Sequence, residues 1–322
     1  MNVGSMKYIV SFVFVLLIAA SSVAQKGDPN KFALIINGAG GEAAYTQQFN
    51  EWTASLNSVL TKRYSFDPAK IKVLSEKLAN AEEVKRTFAT LKSELDANNV
   101  LFVFLIGHGS YDGKESKFNL VGPDLSAADY NQMLAALPTK RIVVFNMSSA
   151  SGEFVKALSA KGRIVVTATR NGQETNATRF AGFLIAALNA TDGDTDQDGH
   201  TSVLETFVYA NRLTEEFYKR AGRLATEHAL LDDNGDGIGR EKPEAGEGLL
   251  ARATYLDSLS VDEAAATAAT GKLLKERTRL EGEIEQLIAR KSSTPEAEYE
   301  ATLERLFIEL AKVNRSIKQA GS

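Results

Sequence analysis

The chain has 322 residues, of which 44% are hydrophobic and 24% are charged, and its formal net charge is −4. These values are ordinary for a globular protein with one large domain or two smaller ones, and the lack of a dominant basic face excludes nucleic acid as an expected partner. The chain contains no cysteine, so neither a disulfide nor a thiol nucleophile is available to it.

Residues 1–24 have the pattern of a secretory signal peptide. Lys7 precedes an apolar run, and Ser22-Val23-Ala24 fits the small-x-small pattern of a signal-peptidase site. We therefore expect a periplasmic or secreted protein that has no membrane contact after cleavage. The alternative is a retained amino-terminal anchor, although the apolar run is short for a membrane span.

Residues 25–190 alternate strands and helices. Apolar runs predict strands at 31–37, 71–75, 100–110, 141–146 and 162–169, and helical spacing predicts helices at 43–63, 81–95, 126–137 and 178–188. Ser126 is the expected N-cap of the third helix. Repeated β-α units predict an α/β fold with a mostly parallel sheet and helices on both faces. In such folds, functional residues gather at the carboxyl ends of the strands.

Two neighbouring strand ends carry the candidate chemistry. His108 follows the third strand between two glycines, and Ser148 and Ser149 follow the fourth. Parallel strands would bring these side chains to the same edge of the sheet, where the turn after the fourth strand is expected to expose the Ser149 side chain. The flanking glycines let the backbone approach a ligand closely and leave the imidazole unshielded, whereas a lone histidine is more often a structural or solvated group.

These paired motifs resemble the caspase, gingipain and legumain group of cysteine peptidases, and the legumain branch most closely. The turn Ser149-Ala150-Ser151-Gly152 matches the legumain motif Cys-x-Ser-Gly except at the cysteine. The resemblance covers residues 31–190. It implies a caspase-like fold, with His108 at the position of the catalytic histidine and Ser149 at that of the nucleophile.

The missing cysteine decides what the resemblance implies about activity. A serine hydroxyl needs an adjacent base, whereas a thiol supplies some thiolate unaided. In the family the histidine is thought to protonate the leaving group, so the fold has no ready base for a serine. The resemblance therefore implies a pseudopeptidase that binds a peptide or protein ligand. The alternatives are an active hydrolase that uses Ser149 with His108, and an engineered replacement of the cysteine.

The loop after the fifth strand is a further candidate region. By position alone, it lies where the family builds its specificity pocket, and a solvated loop is an equal alternative. Its residues of interest are Arg170, Asn171, Glu174 and Thr175.

Residues 191–255 contain an EF-hand-type loop at 194–205, which predicts calcium as the cofactor. The spacing places oxygen ligands at positions 1, 3, 5, 7, 9 and 12 of the loop, namely Asp194, Asp196, Asp198, the His200 carbonyl, Ser202 and Glu205. Gly199 at position 6 permits the sharp turn. Thr201 occupies position 8, where an aliphatic residue normally pairs with a second loop. An acidic surface turn is the alternative.

A second fragment, 232–239, repeats the first half of such a loop through Asp232, Asn234 and Asp236. Position 12 falls on Pro243, so the bidentate ligand is missing. Two interpretations stay open: a half-site completed by Glu241 or Glu244, or a tight turn. His228, just upstream, is expected to be structural, because calcium prefers oxygen ligands.

Residues 256–322 have the composition of a helical hairpin or coiled coil. A heptad seam consists of Tyr299, Leu303, Leu306, Leu310, Val313 and Ile317, and a shorter stripe of Leu273, Leu280, Ile284 and Leu287. Thr294 and Pro295 are the expected N-cap and first residue of the second helix. The seam predicts packing of the hairpin on itself or self-association with a second chain, and a solvated helical tail is the alternative.

Overall fold

The computed structural model describes residues 28–195, 200–243 and 248–257, then residues 272, 273, 276, 277, 279, 280, 283, 284, 287 and 290, and finally 293–320. The predicted signal peptide, residues 1–24, lies outside these ranges. Within them, no helix combines the length and apolar character needed to cross a bilayer.

Within the ranges just given, we label nine strands and eight α-helices in chain order. The strands are β1 Lys31–Asn37, β2 Ile71–Leu74, β3 Val100–Ile106, β4 Gly109–Tyr111, β5 Ser116–Phe118, β6 Leu125–Ser126, β7 Arg141–Asn146, β8 Arg163–Thr167 and β9 Leu230–Asp232. The helices are α1 Ala43–Lys62, α2 Ala81–Glu94, α3 Ala127–Ala135, α4 Glu153–Leu158, α5 Phe180–Asn189, α6 Val203–Arg220, α7 Leu249–Arg252 and α8 Glu296–Ala320.

A six-stranded sheet in the order β2-β1-β3-β7-β8-β9 forms the centre of the protein. Its first five strands are parallel, as the sequence predicts, and β9 adds an antiparallel edge that the sequence analysis missed. The prediction of one strand over 100–110 was wrong at its carboxyl end. β3 stops at Ile106, and β4 belongs to a separate antiparallel sheet with β5 and β6.

Helices cover both faces of the sheet because alternate residues of its buried strands point to opposite sides. Phe104 of β3 lies in the core beneath α1, α5 and α6, whereas its neighbour Val103 lies in the core beneath α2, α3 and α4. Phe104 stacks on Phe145 of β7 with ring centroids 5.2 Å apart. Ser126 caps α3 through a capping box with Asp129, which confirms the predicted N-cap.

The carboxyl-terminal seam is covered by the same chain. Leu280, Ile284 and Leu287 form a buried cluster with Leu306 of α8, and Tyr299, Leu303, Leu310 and Val313 pack against it. Helix α8 begins at Glu296, one residue later than predicted, and the Thr294 hydroxyl donates to the Arg290 carbonyl oxygen at 2.8 Å. Supercoiling of these helices stays a prediction.

Candidate active site and calcium loop

The ends of β3 and β7 lie side by side. Leu105 is paired with Asn146 in parallel register, and the Met147 amide donates to the Leu105 carbonyl oxygen at 3.0 Å. His108 and Ser149 therefore follow adjacent strands at one edge of the sheet, the arrangement that the strand order predicts.

The Ser149 hydroxyl is bound to the backbone of Gly109. Its oxygen accepts from the Gly109 amide at 3.0 Å, and its proton goes to the Gly109 carbonyl oxygen at 3.1 Å. Ser149 is only 2% exposed, so the expectation that the turn presents this side chain openly at the sheet edge was wrong. A Cβ atom at Gly109 would overlap the Ser149 carbonyl oxygen, so the absence of a side chain at Gly109 permits this close approach.

The His108 ring is held among aromatic side chains of α1. Its centroid lies 4.7 Å from that of Tyr45 and 5.1 Å from that of Phe49, both edge-on. Burial lowers the pKa of His108 below its ordinary value of 6.5, and the Gly40 backbone and Glu42 oppose this shift. The lowered pKa favours the neutral imidazole at pH 7 and so disfavours a positive charge that would stabilise an anion at Ser149.

The turn that contains Ser149 is fixed by its other residues. Ala150 has a positive φ of 52°, a sparsely populated conformation for a residue with a side chain, and its amide donates to the Glu174 carbonyl oxygen at 2.8 Å. The Ser151 hydroxyl accepts from the amides of Ala168 and Thr169, which follow β8, at 3.1 and 3.2 Å. Ser151 and Ala150 therefore tie the turn to the end of β8.

Glu174 organises the loop after β8. Its carboxylate accepts from the Arg170 amide at 2.9 Å and the His228 amide at 3.2 Å, and it lies 2.5 Å from the His228 Nδ1 atom. Arg170 also contacts Glu241, with nitrogen and oxygen 3.7 Å apart. The sequence points to Glu174 by position only, because no local pattern connects it with a histidine 54 residues away.

A polar groove borders this loop. It has a volume of about 560 Å³. Its lining consists of Arg170, Leu230, Gly239, Arg240, Glu241 and Lys242. Of the four residues named by position, Arg170 lines this groove. Glu174 does not line it, but its carboxylate accepts a hydrogen bond from the Arg170 backbone amide. The groove thus presents cationic and anionic groups together beside the loop that holds Ala150.

The two ends of the predicted calcium loop meet at Glu205. One carboxylate oxygen accepts from the Thr195 amide at 2.7 Å, and the other accepts from the Ser202 amide at 2.9 Å and the Ser202 hydroxyl at 2.8 Å. Asp196 and Asp198 lie outside the described residues. The part of the chain that the structure describes contains no cluster of three or more acidic or histidine side chains arranged for a metal.

The described ligand positions fit calcium chemically, since carboxylate, hydroxyl and carbonyl oxygens are its preferred donors. Glu205 would have to exchange its present hydrogen bonds for the ion. Position 8 also has a partner: the Thr201 carbonyl oxygen accepts from the Leu256 amide at 2.9 Å, and the Thr201 amide donates to Asp257 at 3.2 Å. Residues 256 and 257 thus hold the backbone of Thr201 through both its amide and its carbonyl group.

The second acidic fragment forms hydrogen-bonded turns. The Asp232 carboxylate accepts from the amides of Gly235 and Gly237 at 3.0 and 3.1 Å, and the Asp236 carboxylate accepts from the Ile238 amide at 2.8 Å. Glu241, one of the two suggested completing ligands, contacts Arg170 instead. These contacts favour the tight-turn interpretation over a half-site.

Comparison with known proteins gives matches among solved structures alone. No protein-family model matches the chain, and no curated protein does so. Among similar solved structures, the Drosophila initiator caspase Dronc is 11% identical, with a TM-score of 0.46, over 74% of this chain and 95% of its own. Caspase-1 from Spodoptera frugiperda is 13% identical, with a TM-score of 0.42, over 65% and 88%. Protein GSU0716 from Geobacter sulfurreducens is 14% identical, with a TM-score of 0.43, over 63% and 93%.

Proposed function

We propose that this chain is an exported, caspase/legumain-like pseudopeptidase that binds a peptide or protein ligand beside the Ser149 turn. The observation that carries the proposal is the hydrogen bonding of the Ser149 hydroxyl. A nucleophilic serine must give its proton to a base, whereas this hydroxyl donates a hydrogen bond to the Gly109 carbonyl oxygen, which is not a base at neutral pH.

The surroundings of His108 support the same conclusion. A general base that activates a serine is normally oriented by a third group, usually a carboxylate, which also stabilises the imidazolium ion. His108 is held by a backbone hydrogen bond to Gly40 and by aromatic neighbours, and Glu42 contributes only a smaller coulombic effect. Burial outweighs both and lowers the pKa of His108, which disfavours the protonated ring that serine hydrolysis would generate. The alternative function, a hydrolase that uses Ser149 with His108, requires the Ser149 hydroxyl to leave the Gly109 carbonyl oxygen and the His108 ring to reorient.

The groove beside Arg170 supports binding of a peptide. Arg170, Arg240 and Lys242 are cationic and Glu241 is anionic, which suits a chain with carboxylate and amide groups. The ligand would compete with the ion pairs Arg170–Glu241 and Arg240–Asp236. Arg170 lines the groove, and its backbone lies against Gly152 at the end of the turn that holds Ser149. A ligand that contacts Arg170 would therefore bind beside this turn.

A diverse peptide library, with products identified by mass spectrometry, separates the two functions. We expect no cleavage products from either the wild-type protein or Ser149→Ala. Ser148→Ala is the matched control, because Ser148 is a buried neighbour whose hydroxyl donates to Asn146 at 2.7 Å. Cleavage by the wild type that survives in Ser148→Ala and disappears in Ser149→Ala would establish a serine-dependent hydrolase.

We also propose that loop 194–205 binds calcium. Support comes from Glu205, which already brings the two ends of the loop together through its hydrogen bond with Thr195. Glu205 is also the third residue of α6, so a helix follows the loop as the pattern requires. Calorimetric titration of the chelated protein with calcium should show binding. Glu205→Gln should weaken it by removing a charge, whereas Glu215→Gln, at an exposed position on α6, should not. Absence of heat at millimolar calcium would refute the site.

Export is the third part of the proposal and rests on the signal-peptide pattern of residues 1–24. Expression of the full chain in a bacterial host, followed by intact-mass measurement of the periplasmic or secreted fraction, should show loss of these residues. A product that stays membrane-bound and uncleaved would instead support the retained anchor.

A further inference from the structure

The apolar seam of α8 is already occupied within the chain. Leu306 is 2% exposed and lies in a cluster with Leu280, Ile284 and Leu287. Any association of α8 with another chain must therefore use the opposite, outward face of the helix.

Ile308 is the large apolar side chain on that outward side, and it is 48% exposed. Phe307 instead lines a groove of about 330 Å³ with Val208 of α6 and the seam residues Ile284 and Leu310. Ile308 is therefore the apolar centre of the outward face.

The charges of α8 differ in sign on the two sides of Ile308, which is the midpoint of Glu296–Ala320. Arg305 and Glu309 depart from this pattern and form an ion pair with each other at 3.0 Å. The residues before it include exposed glutamates at 296, 298, 300 and 304, and those after it include exposed Lys312 and Arg315. Glu304 and Lys312 each lie four residues from Ile308, so both lie on its face of the helix, one on each side.

We propose that α8 pairs antiparallel with α8 of a second copy of this chain, about a two-fold axis at Ile308. In this arrangement Glu304 of each copy faces Lys312 of the other, and the two Ile308 side chains meet on the axis. A parallel pair would instead place Glu304 against Glu304 and Lys312 against Lys312, which is repulsive. Charge complementarity thus selects both the partner and its direction.

This pairing is independent of the proposed pseudopeptidase function, since it uses no residue of the Ser149 turn or the calcium loop. A single helix pair buries less than the roughly 800 Å² per partner of a standard interface. The dimer is therefore weak and depends on protein concentration.

Sedimentation equilibrium of the full mature chain tests the charge pairing. Glu304→Lys and Lys312→Glu should each raise the dissociation constant by about tenfold, because each change makes two contacts repulsive. The double exchange should restore dimerisation, which only an antiparallel two-fold pair predicts. Glu51→Lys, an exposed position on α1, is the control for the change in net charge and should leave the dissociation constant unchanged.

The absence of cysteine gives a direct second test of the register. Ile308→Cys places one thiol on the axis, and mild oxidation should join two chains through a disulfide. Ser316→Cys places the two thiols about 24 Å apart along the helices, at 1.5 Å per residue, and should not crosslink. A wild-type protein that is monomeric at all concentrations, a double exchange that fails to restore the dimer, or equal crosslinking at both positions would overturn the proposal.

Discussion

Lys31 is a buried ammonium group whose contribution to stability should depend on pH. It lies on β1, is 6% exposed, and donates to the Leu256 carbonyl oxygen at 2.6 Å and to the Asp257 carbonyl oxygen. Burial lowers the pKa of Lys31 from 10.5 to about 8, although Asp28, at 3.8 Å, opposes the shift. The folded protein therefore loses this proton at a lower pH than the unfolded chain does.

The sign of the effect follows from proton binding. Between pH 8 and 10.5 the unfolded chain binds more protons at Lys31 than the folded protein, so the free energy of unfolding rises with pH in this window. Between about pH 7.5 and 9.5 the shift corresponds to a rise of about 2 kcal/mol. Below pH 8 both states bind the proton, and the full cost of burying the charge is present.

Urea unfolding of the wild type and Lys31→Met at several pH values in that range measures the effect. Methionine keeps much of the length and removes the charge, so the difference in unfolding free energy between the two proteins isolates Lys31 from other titrating groups. We expect this difference to change by about 2 kcal/mol in favour of the wild type as pH rises. A difference that is constant with pH to within about 0.5 kcal/mol would show that Lys31 is not held as a buried ammonium group.

Three further predictions concern other parts of the chain. Gly109→Ala should destabilise the protein by about 1–3 kcal/mol in thermal or urea unfolding, because its Cβ would also lie 2.9 Å from the Ser148 hydroxyl. A Cβ at Gly193 meets nothing closer than 3.4 Å, so Gly193→Ala serves as the control. Leu306→Asp should release α8 to limited proteolysis, since it buries a charge in the seam; an unchanged digestion pattern would show that the seam carries no packing. Glu174→Gln should make the 170–175 loop more accessible in amide hydrogen exchange, because its carboxylate holds two backbone amides, and unchanged exchange would contradict that role.

Much of the sheet could be predicted from the sequence, because buried parallel strands are continuous apolar runs. Lys31–Asn37 and Val100–Ile106 are buried along their whole length, which makes their apolar pattern unambiguous. The proximity of the turns after β3 and β7 followed from strand order alone. The three-residue strand β9 was missed because so short a segment has no measurable periodicity.

The chemistry at Ser149 could not be predicted in the same way. The hydroxyl is held by the backbone of Gly109, and backbone groups have no signature in a sequence. The contact between Glu174 and His228 joins distant segments, and so does the pairing of Thr201 with Leu256. These contacts depend on how loops pack after the sheet has formed, and local patterns do not encode that packing.

The hydrogen bond between Lys31 and Leu256 also orders events in time, because 225 residues separate its partners. While the chain is being synthesised, β1 emerges long before its carbonyl acceptors, so the Lys31 ammonium group must stay hydrated until residue 256 is available. β1 is therefore the first strand to be made, but it reaches its final buried state only after residues 256 and 257 have packed against it. An amino-terminal fragment that ends before Leu256 would have β1 and its parallel neighbours but no carbonyl acceptor for the Lys31 ammonium group. Complete burial of β1 therefore indicates that the chain has been made at least as far as Asp257.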